Sequence, residues 1–249
     1  MLTGGFSDKG PYRDMNEDAV KCTVSDDNAF LVVADGLGGA PYGEIASEMA
    51  CLETVSVLED GWSNDLTVEG RKDFLLRLFN TVNGKILRRC IDEPKLTGMC
   101  TTLTVAVMTP ERVTIGHVGD SRAYLVTEDG LERVTRDHNR AEILLSSGQI
   151  TEEEARRHPL RHLLTMVVGE NTYLSPSVTE IEVKEGDCLV LLSDGVYSAV
   201  SDDDIADVRE HREDPEGFAC DLVRKAIDNG SFDNCTAAVG IVCGQKKEK

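Results

Sequence analysis

TLTVAVMTPERVTIGHVGDSRAYLVTEDGLERV, from Thr102 to Val134, packs several strand-sized apolar runs end to end. Thr102–Thr109, Arg112–Val118, Arg122–Thr127 and Leu131–Val134 are rich in β-branched and aromatic side chains, which suit a pleated surface. Thr109-Pro110-Glu111 and Glu128-Asp129-Gly130 are tight connections built from turn residues. Connections that short force neighbouring strands to run antiparallel. Between the second and third runs, Gly119-Asp120-Ser121-Arg122 leaves an acid and a hydroxyl at a strand end.

The same signals continue outward. Ala29–Ala34, Val178–Val183, Cys188–Ser193 and Thr236–Val242 read as further strands. Two long amphipathic helices follow the first of these. Gly43–Leu58 carries Ile45, Met49, Leu52 and Val55 on one face, and Val68–Cys90 carries Leu75, Leu78, Phe79, Val82 and Ile86. Pro215–Asn229 reads as a third, through Phe218, Leu222 and Ala226, with Gly230 as its stop. Hairpin-joined strands with helices grouped in blocks predict an α+β fold, helices covering antiparallel sheets. Glu142–Ser147 and Glu152–Arg157 predict a short helical pair interrupting the strands, the second opened by a capping box of Thr151 and Glu154. No linker, repeat or low-complexity tract appears, so residues 1–249 are expected to form a single domain.

Composition excludes several classes of function. Asp and Glu number 45 against 26 Lys and Arg, for a net charge of −19. Such a surface repels nucleic-acid phosphates and anionic lipid, so neither is an expected partner. Residues 1–10 show no secretory signal, and no apolar run approaches the ~18 residues of a membrane helix, so a cytoplasmic protein is expected. The eight cysteines are scattered without a C-x-x-C pair and read as buried thiols rather than a zinc or disulfide framework. His158 and His162 are four apart, but Pro159 lies between them and no glutamate follows His158, so the zinc-protease pattern fails.

The chemistry-bearing residues recur where turns meet strands. They are Arg13-Asp14-Met15-Asn16-Glu17-Asp18, Asp35-Gly36-Leu37-Gly38-Gly39, Gly119-Asp120-Ser121-Arg122, Ser193-Asp194-Gly195 and Asp233-Asn234. Taken singly, each is explained by a turn or a surface ion pair. Together they are not. Two carboxylates ~4 Å apart repel by about 4 kcal/mol at an effective dielectric of 20. Several are tolerated side by side only when protons or cations neutralise them. Oxygen-only ligands point to hard ions such as Mg²⁺, Mn²⁺ or Ca²⁺. The glycines after Asp35 fit neither a dinucleotide fingerprint nor a P-loop, but Gly36 allows its own carbonyl to approach an ion. Ser121 is followed by a strand and a hairpin where a nucleophile elbow needs a helix, which argues against a serine hydrolase.

In order and spacing, Arg13-x-x-Asn-Glu-Asp, Asp35-Gly-Leu-Gly-Gly, Gly98-x-x-Thr-Thr, Gly119-Asp-Ser-Arg, Thr135-x-Asp-His-Asn, Ser193-Asp-Gly-Val and Asp233-Asn resemble the metal-dependent protein phosphatases, the PPM or type 2C serine/threonine phosphatases. The resemblance runs from about Phe6 to Val242, and residues 137–169 resemble the flap of the compact bacterial members.

That resemblance implies a four-layer αββα sandwich, two central antiparallel sheets flanked by helix pairs, with a small helical flap. It implies hydrolysis of phosphoserine and phosphothreonine by a hydroxide bridging two Mn²⁺ or Mg²⁺ ions. Asp35 would bridge both, the Gly36 carbonyl would hold one, and Asp194 with Asp233 the other. A third ion, found in many bacterial relatives, would fall to Asp120 and Asp194. Glu17, Asp18 and Asn234 would act through water, and Arg13 would fork onto the substrate phosphate. The catalytic set is therefore Arg13, Asp35 and Asp194. Implied partners are phosphorylated proteins, among them a serine/threonine kinase, met by a monomer. The alternative is an inactive relative that only binds phosphoproteins.

Two positions depart from the pattern. Leu37 stands where well-known eukaryotic relatives carry a histidine proposed as general acid, and Leu37 cannot donate a proton. His138 is an alternative donor, although a histidine in a turn after a strand more often serves structure. Met166-Val167-Val168-Gly169 lacks the arginine that bacterial relatives often place in the flap.

Overall fold

The computed structural model describes residues 1–25, 28–37 and 42–244. Its strands are β1 (Leu2–Asp8), β2 (Asp18–Ser25), β3 (Asn28–Asp35), β4 (Leu103–Met108), β5 (Arg112–Val118), β6 (Arg122–Thr127), β7 (Gly130–Arg133), β8 (Ser177–Glu182), β9 (Cys188–Leu192) and β10 (Cys235–Ile241). They form two five-stranded sheets, β1-β10-β9-β6-β7 and β2-β3-β4-β5-β8, and every pairing is antiparallel.

The helices are α1 (Gly43–Gly61), α2 (Val68–Asp92), α3 (Arg140–Ser146), α4 (Glu152–Arg156), α5 (Asp194–Tyr197), α6 (Asp202–Ala206) and α7 (Pro215–Asp228). Alternation along β3 shows how the layers stack. Phe30, Val32 and Ala34 face α1 and α2, where they meet Ala46, Leu75 and Phe79. Ala29, Leu31 and Val33 face the other sheet, where they meet Leu189, Leu191 and Ala238. A third cluster joins Val190, Leu192 and Val239 to Phe218 and Leu222 of α7. Three apolar layers require four structural ones, and burial on both faces explains why these strands read as unbroken apolar runs. The expected α+β sandwich is the observed fold.

Three sequence expectations need correction. β1 and β2 were not expected. β1 contains Gly4-Gly5, poor strand formers that are needed here because a Cβ on Gly4 would collide with the Glu216 backbone at the start of α7. On α1, Leu52 is 51% exposed, while Ala46, Ser47, Ala50, Cys51, Thr54 and Leu58 are buried. Small residues let α1 lie close to its sheet, and Ile45, Met49 and Val55 are only partly covered. The eight residues of α2 and α7 singled out as core, Leu75, Phe79 and Phe218 among them, are buried as expected.

The register gathers one end of each sheet. In the second sheet Asp18 lies opposite Asp35, and Val33 lies opposite Thr104. In the first, Leu192 lies opposite both Ala237 and Arg122. Gly119-Asp120-Ser121 carries the chain across from β5 to β6 at that shared end.

Candidate active site

Strand ends deliver the acids. Asp35 closes β3, Asp18 opens β2, Asp194 follows β9, Asp233 precedes β10, and Asp120 lies in the crossing between sheets. The proximity shows in their titration. Burial, with Asp18, Asp194, Asp120 and Asp233 around it, pushes the Asp35 carboxyl well above the usual carboxylate range. Burial, then the charges of Asp194 and Asp137, does the same to Asp120. Burial and Asp233 raise Asp194 to about 7, and burial raises Asp18 to about 6. Glu17 is raised by burial, with Arg13 opposing.

Few protein donors answer these charges. Ser193 donates to Asp18 Oδ2 at 2.8 Å, and Arg13 Nη2 donates to Asp233 Oδ2 at 2.6 Å. Among the described residues Asp120 accepts no side-chain hydrogen bond, and the Asp35 carboxyl pairs only with that of Asp18. The carbonyl of buried Gly36 accepts no backbone hydrogen bond among them either, although its amide donates to Glu17 O at 3.0 Å. A Cβ on Gly36 would strike the backbones of Gly43 and Glu17, so the carbonyl sits in a cradle that only glycine fits.

The donor set, carboxylates and one free carbonyl, fits hard divalent cations and no soft metal. Among the described residues no three or more His, Cys, Asp or Glu side chains stand closed into a cage. The fit therefore rests on uncompensated charge and donor chemistry. Arg13 partly explains the open arrangement, since its guanidinium lies against Asp233.

Several neighbours carry the geometry. Thr102 Oγ1 accepts from the Asp35 amide at 2.9 Å and pairs with Ser121 Oγ at 2.9 Å. Ser121 is fully buried, which removes it as a nucleophile. Asn234 bonds the backbone directly. Both its amide protons go to the carbonyls of Lys9 and Met15, each at 2.9 Å, and its Oδ1 accepts from Glu17 N at 2.9 Å. It braces the loop that presents Arg13. His138 is likewise structural. Its Nδ1 accepts from Gly119 N at 3.3 Å, its Nε2 pairs with Ser177 Oγ at 2.9 Å, and its ring lies 4.9 Å from that of His117.

A scan of family models matches residues 13–224 to protein phosphatase 2C. The chain belongs to the protein phosphatase 2C family. It is 33% identical to the serine/threonine phosphatase stp of Listeria welshimeri over 92% of this chain and 91% of the relative. The crystal structure of the serine/threonine phosphatase Stp1 from Staphylococcus aureus superposes with a TM-score of 0.87 at 31% identity, covering 97% of this chain and 95% of that one. The catalytic domain of the serine/threonine protein phosphatase PstP, solved in complex with two manganese ions, gives a TM-score of 0.80 at 31% identity, covering 98% of each chain. Membership makes this chain an enzyme of the phosphatase class.

Within that family frame, Arg13, Glu17, Asp18, Asp35, Gly36, Asp120, Asp194, Asp233 and Asn234 all gather at the shared sheet end. Gly38 and Gly39 lie outside the described residues. Sequence reading assigned no role to Thr102, although it stood in a quoted motif. It also gave none to His162 of the flap, whose Nδ1 lies 3.9 Å from Asp194 Oδ2. Only its place in the flap hinted at that approach.

Proposed function

We propose that this chain hydrolyses phosphoserine and phosphothreonine in proteins with the help of Mn²⁺ or Mg²⁺. The observation that carries the reading is the convergence of Asp18, Asp35, Asp120, Asp194 and Asp233 beside Arg13. Asp35, the Gly36 carbonyl, Asp194 and Asp233 would hold two ions, and Asp120 with Asp194 a third. Bound there, such ions supply Lewis-acid charge and an acidified water. Glu17 and Asp18 stand behind those ligands, in reach of coordinated water.

The chain's own residues supply orientation. Arg13 is 39% exposed and spends one Nη2 proton on Asp233, leaving the rest of its fork for a phosphate. Thr102 fixes the Asp35 backbone, and Asn234 fixes the Arg13 loop, so acid and cation keep a constant separation. With Ser121 buried and the cysteines pushed up in pKa where resolved, no protein nucleophile is called for.

Residues 1–249 act as one catalytic domain in this reading, with a flap at about 137–169. Phosphorylated proteins are the partners, a serine/threonine kinase among them. The site would be complete within one chain, so a monomer suffices for the activity proposed. Among the described residues no helix is long and apolar enough to cross a membrane, which fits the cytoplasmic placement we propose.

The test is hydrolysis of p-nitrophenyl phosphate and a phosphothreonine peptide with and without Mn²⁺, for wild type and Asp194→Asn. Metal-dependent turnover that collapses in the variant is expected. Its absence in wild type at saturating metal would favour the phosphoprotein-binding alternative, which similarity to named phosphatases does not favour.

A further inference from the structure

Two aromatic rings stand in the open beside the candidate active site. Tyr12 is 61% exposed and Phe232 is 74% exposed, yet their ring centroids are 4.9 Å apart at 38°. Met15, 54% exposed, belongs to the same loop. Each aromatic immediately adjoins a site residue, Tyr12 before Arg13 and Phe232 before Asp233, and those two are joined at 2.6 Å.

The pair is held firmly. Asn234 binds the carbonyls of Lys9 and Met15, bracketing Tyr12 on both sides. Gly10, at φ +68°, lies so close to the Asp233 carbonyl that a Cβ would reach it at 2.9 Å. Large exposed apolar side chains that stand together, as these two rings do, are the kind of surface that contact sites use. Here the rings directly precede in the chain Arg13 and Asp233, the joined pair at which a phosphate would be held.

We propose that Tyr12 and Phe232 form a subsite for an apolar side chain of the substrate, one or two residues from the phosphorylated serine or threonine. The proposal rests on the phosphatase reading above. Spacing supports it: neighbouring Cα atoms lie about 3.8 Å apart, and an extended peptide advances about 3.3 Å per residue. Tyr12 and Phe232 each adjoin a member of the joined Arg13–Asp233 pair, so a side chain flanking a phosphate held there needs to reach only one or two residues along. Other exposed apolar side chains, Leu52, Ile91 and Tyr173 among them, do not adjoin Arg13 or Asp233 in the chain.

The alternative role is a staple that joins the Arg13 loop to the residues before β10. A ratio separates the two. kcat/KM would be measured with Mn²⁺ for two phosphothreonine peptides, alike except for leucine or glycine at the flanking positions. Wild type is expected to prefer the leucine peptide about five-fold, as partial burial of one apolar side chain predicts. Phe232→Ser and Tyr12→Ser should bring the ratio near one, and Phe232→Leu should keep most of it. A staple lowers both peptides together and leaves the ratio unchanged, which would overturn the proposal, as would a wild-type ratio near one. No metal-dependent turnover of either peptide would overturn the phosphatase reading and this subsite with it.

Discussion

Asp35 and Asp137 are both aspartates at the edge of the same sandwich, and they meet opposite surroundings. Asp137, 5% exposed, lies between two arginines. Arg122 grips it through Nε at 3.1 Å and Nη2 at 2.8 Å, and Arg133 adds a contact at 3.0 Å. Arg122 also lies 3.8 Å above the ring of Tyr197. Asp35 has no such clasp and faces four other carboxylates. Two residues of sequence divide the regions, since Asp120 belongs to the acidic cluster and Arg122 to the clasp. One region has spent its cations on stability. The other has left its charge uncompensated, and that is what a site for external cations requires.

The largest expected effect comes from removing charge where it is in excess. Asp194→Asn should lower metal-dependent kcat on a phosphothreonine peptide by about 10³-fold, the scale of losing a preorganised electrostatic contact. In EDTA the same variant should melt higher than wild type, because a repelling carboxylate is gone. Lost activity together with a lowered melting temperature in EDTA would show that the cluster is not strained.

Removing charge from the clasp should act the other way. Asp137→Ala strands Arg122, whose side chain is 19% exposed, next to Tyr197. Breaking one partner of a buried pair costs about 3 kcal/mol. For a chain of this size that is a fall in Tm of roughly 6–12 °C, read by calorimetry with and without Mn²⁺. An unchanged Tm would mean the clasp is decorative.

Sequence reading reached the acids more readily than their supports. Asp35 and Asp194 each end an apolar run, and Asp233 stands just before one, so periodicity alone places them at strand ends. The double-sided burial of β3 was equally visible as an unbroken apolar stretch. The bracing by Asn234 was not legible because its bonds go to backbone groups that only the register of β1 against β10 brings near, and β1 itself was hidden by Gly4-Gly5. The buried face of α1 escaped notice for a related reason. Hydrophobicity favours Leu52, but close helix-to-sheet approach favours Ala46 and Ala50. Asp137 stood in a quoted motif, and nothing local shows that Arg122 and Arg133 reach it from two adjacent strands.

Titration sharpens the contrast further. Free aspartate ionises near pH 3.9. In the folded chain Asp18 holds its proton to about 6 and Asp194 to about 7. Between roughly pH 4 and 7 the folded state thus binds more protons than the unfolded one, so stability falls as pH rises through that window. In EDTA the wild-type Tm should drop by at least about 4 °C from pH 5 to pH 8. Asp194→Asn should flatten that slope, and saturating Mn²⁺ should restore the high-pH melting temperature. Parallel slopes for wild type and variant would remove Asp194 as its source.

The smallest expected effect tests how the clasp divides its work. Arg133 is 30% exposed and reaches Asp137 through one nitrogen, while its Nε donates to the Thr135 carbonyl at 2.7 Å. Arg122 is less exposed, grips both oxygens of Asp137 and has Tyr197 beneath it. A half-exposed ion pair contributes at most about 1 kcal/mol. Arg133→Gln should therefore lower Tm by no more than about 4 °C, whereas Arg122→Gln should cost at least twice as much. Arg122, unlike Arg133, also holds down Asp120 and, after Arg13, Asp194 against burial. Its loss should thus steepen the fall of Tm with pH in EDTA, and loss of Arg133 should leave that slope alone. Equal costs for the two arginines, with equal slopes, would merge clasp and cluster into one electrostatic unit and end the distinction between them.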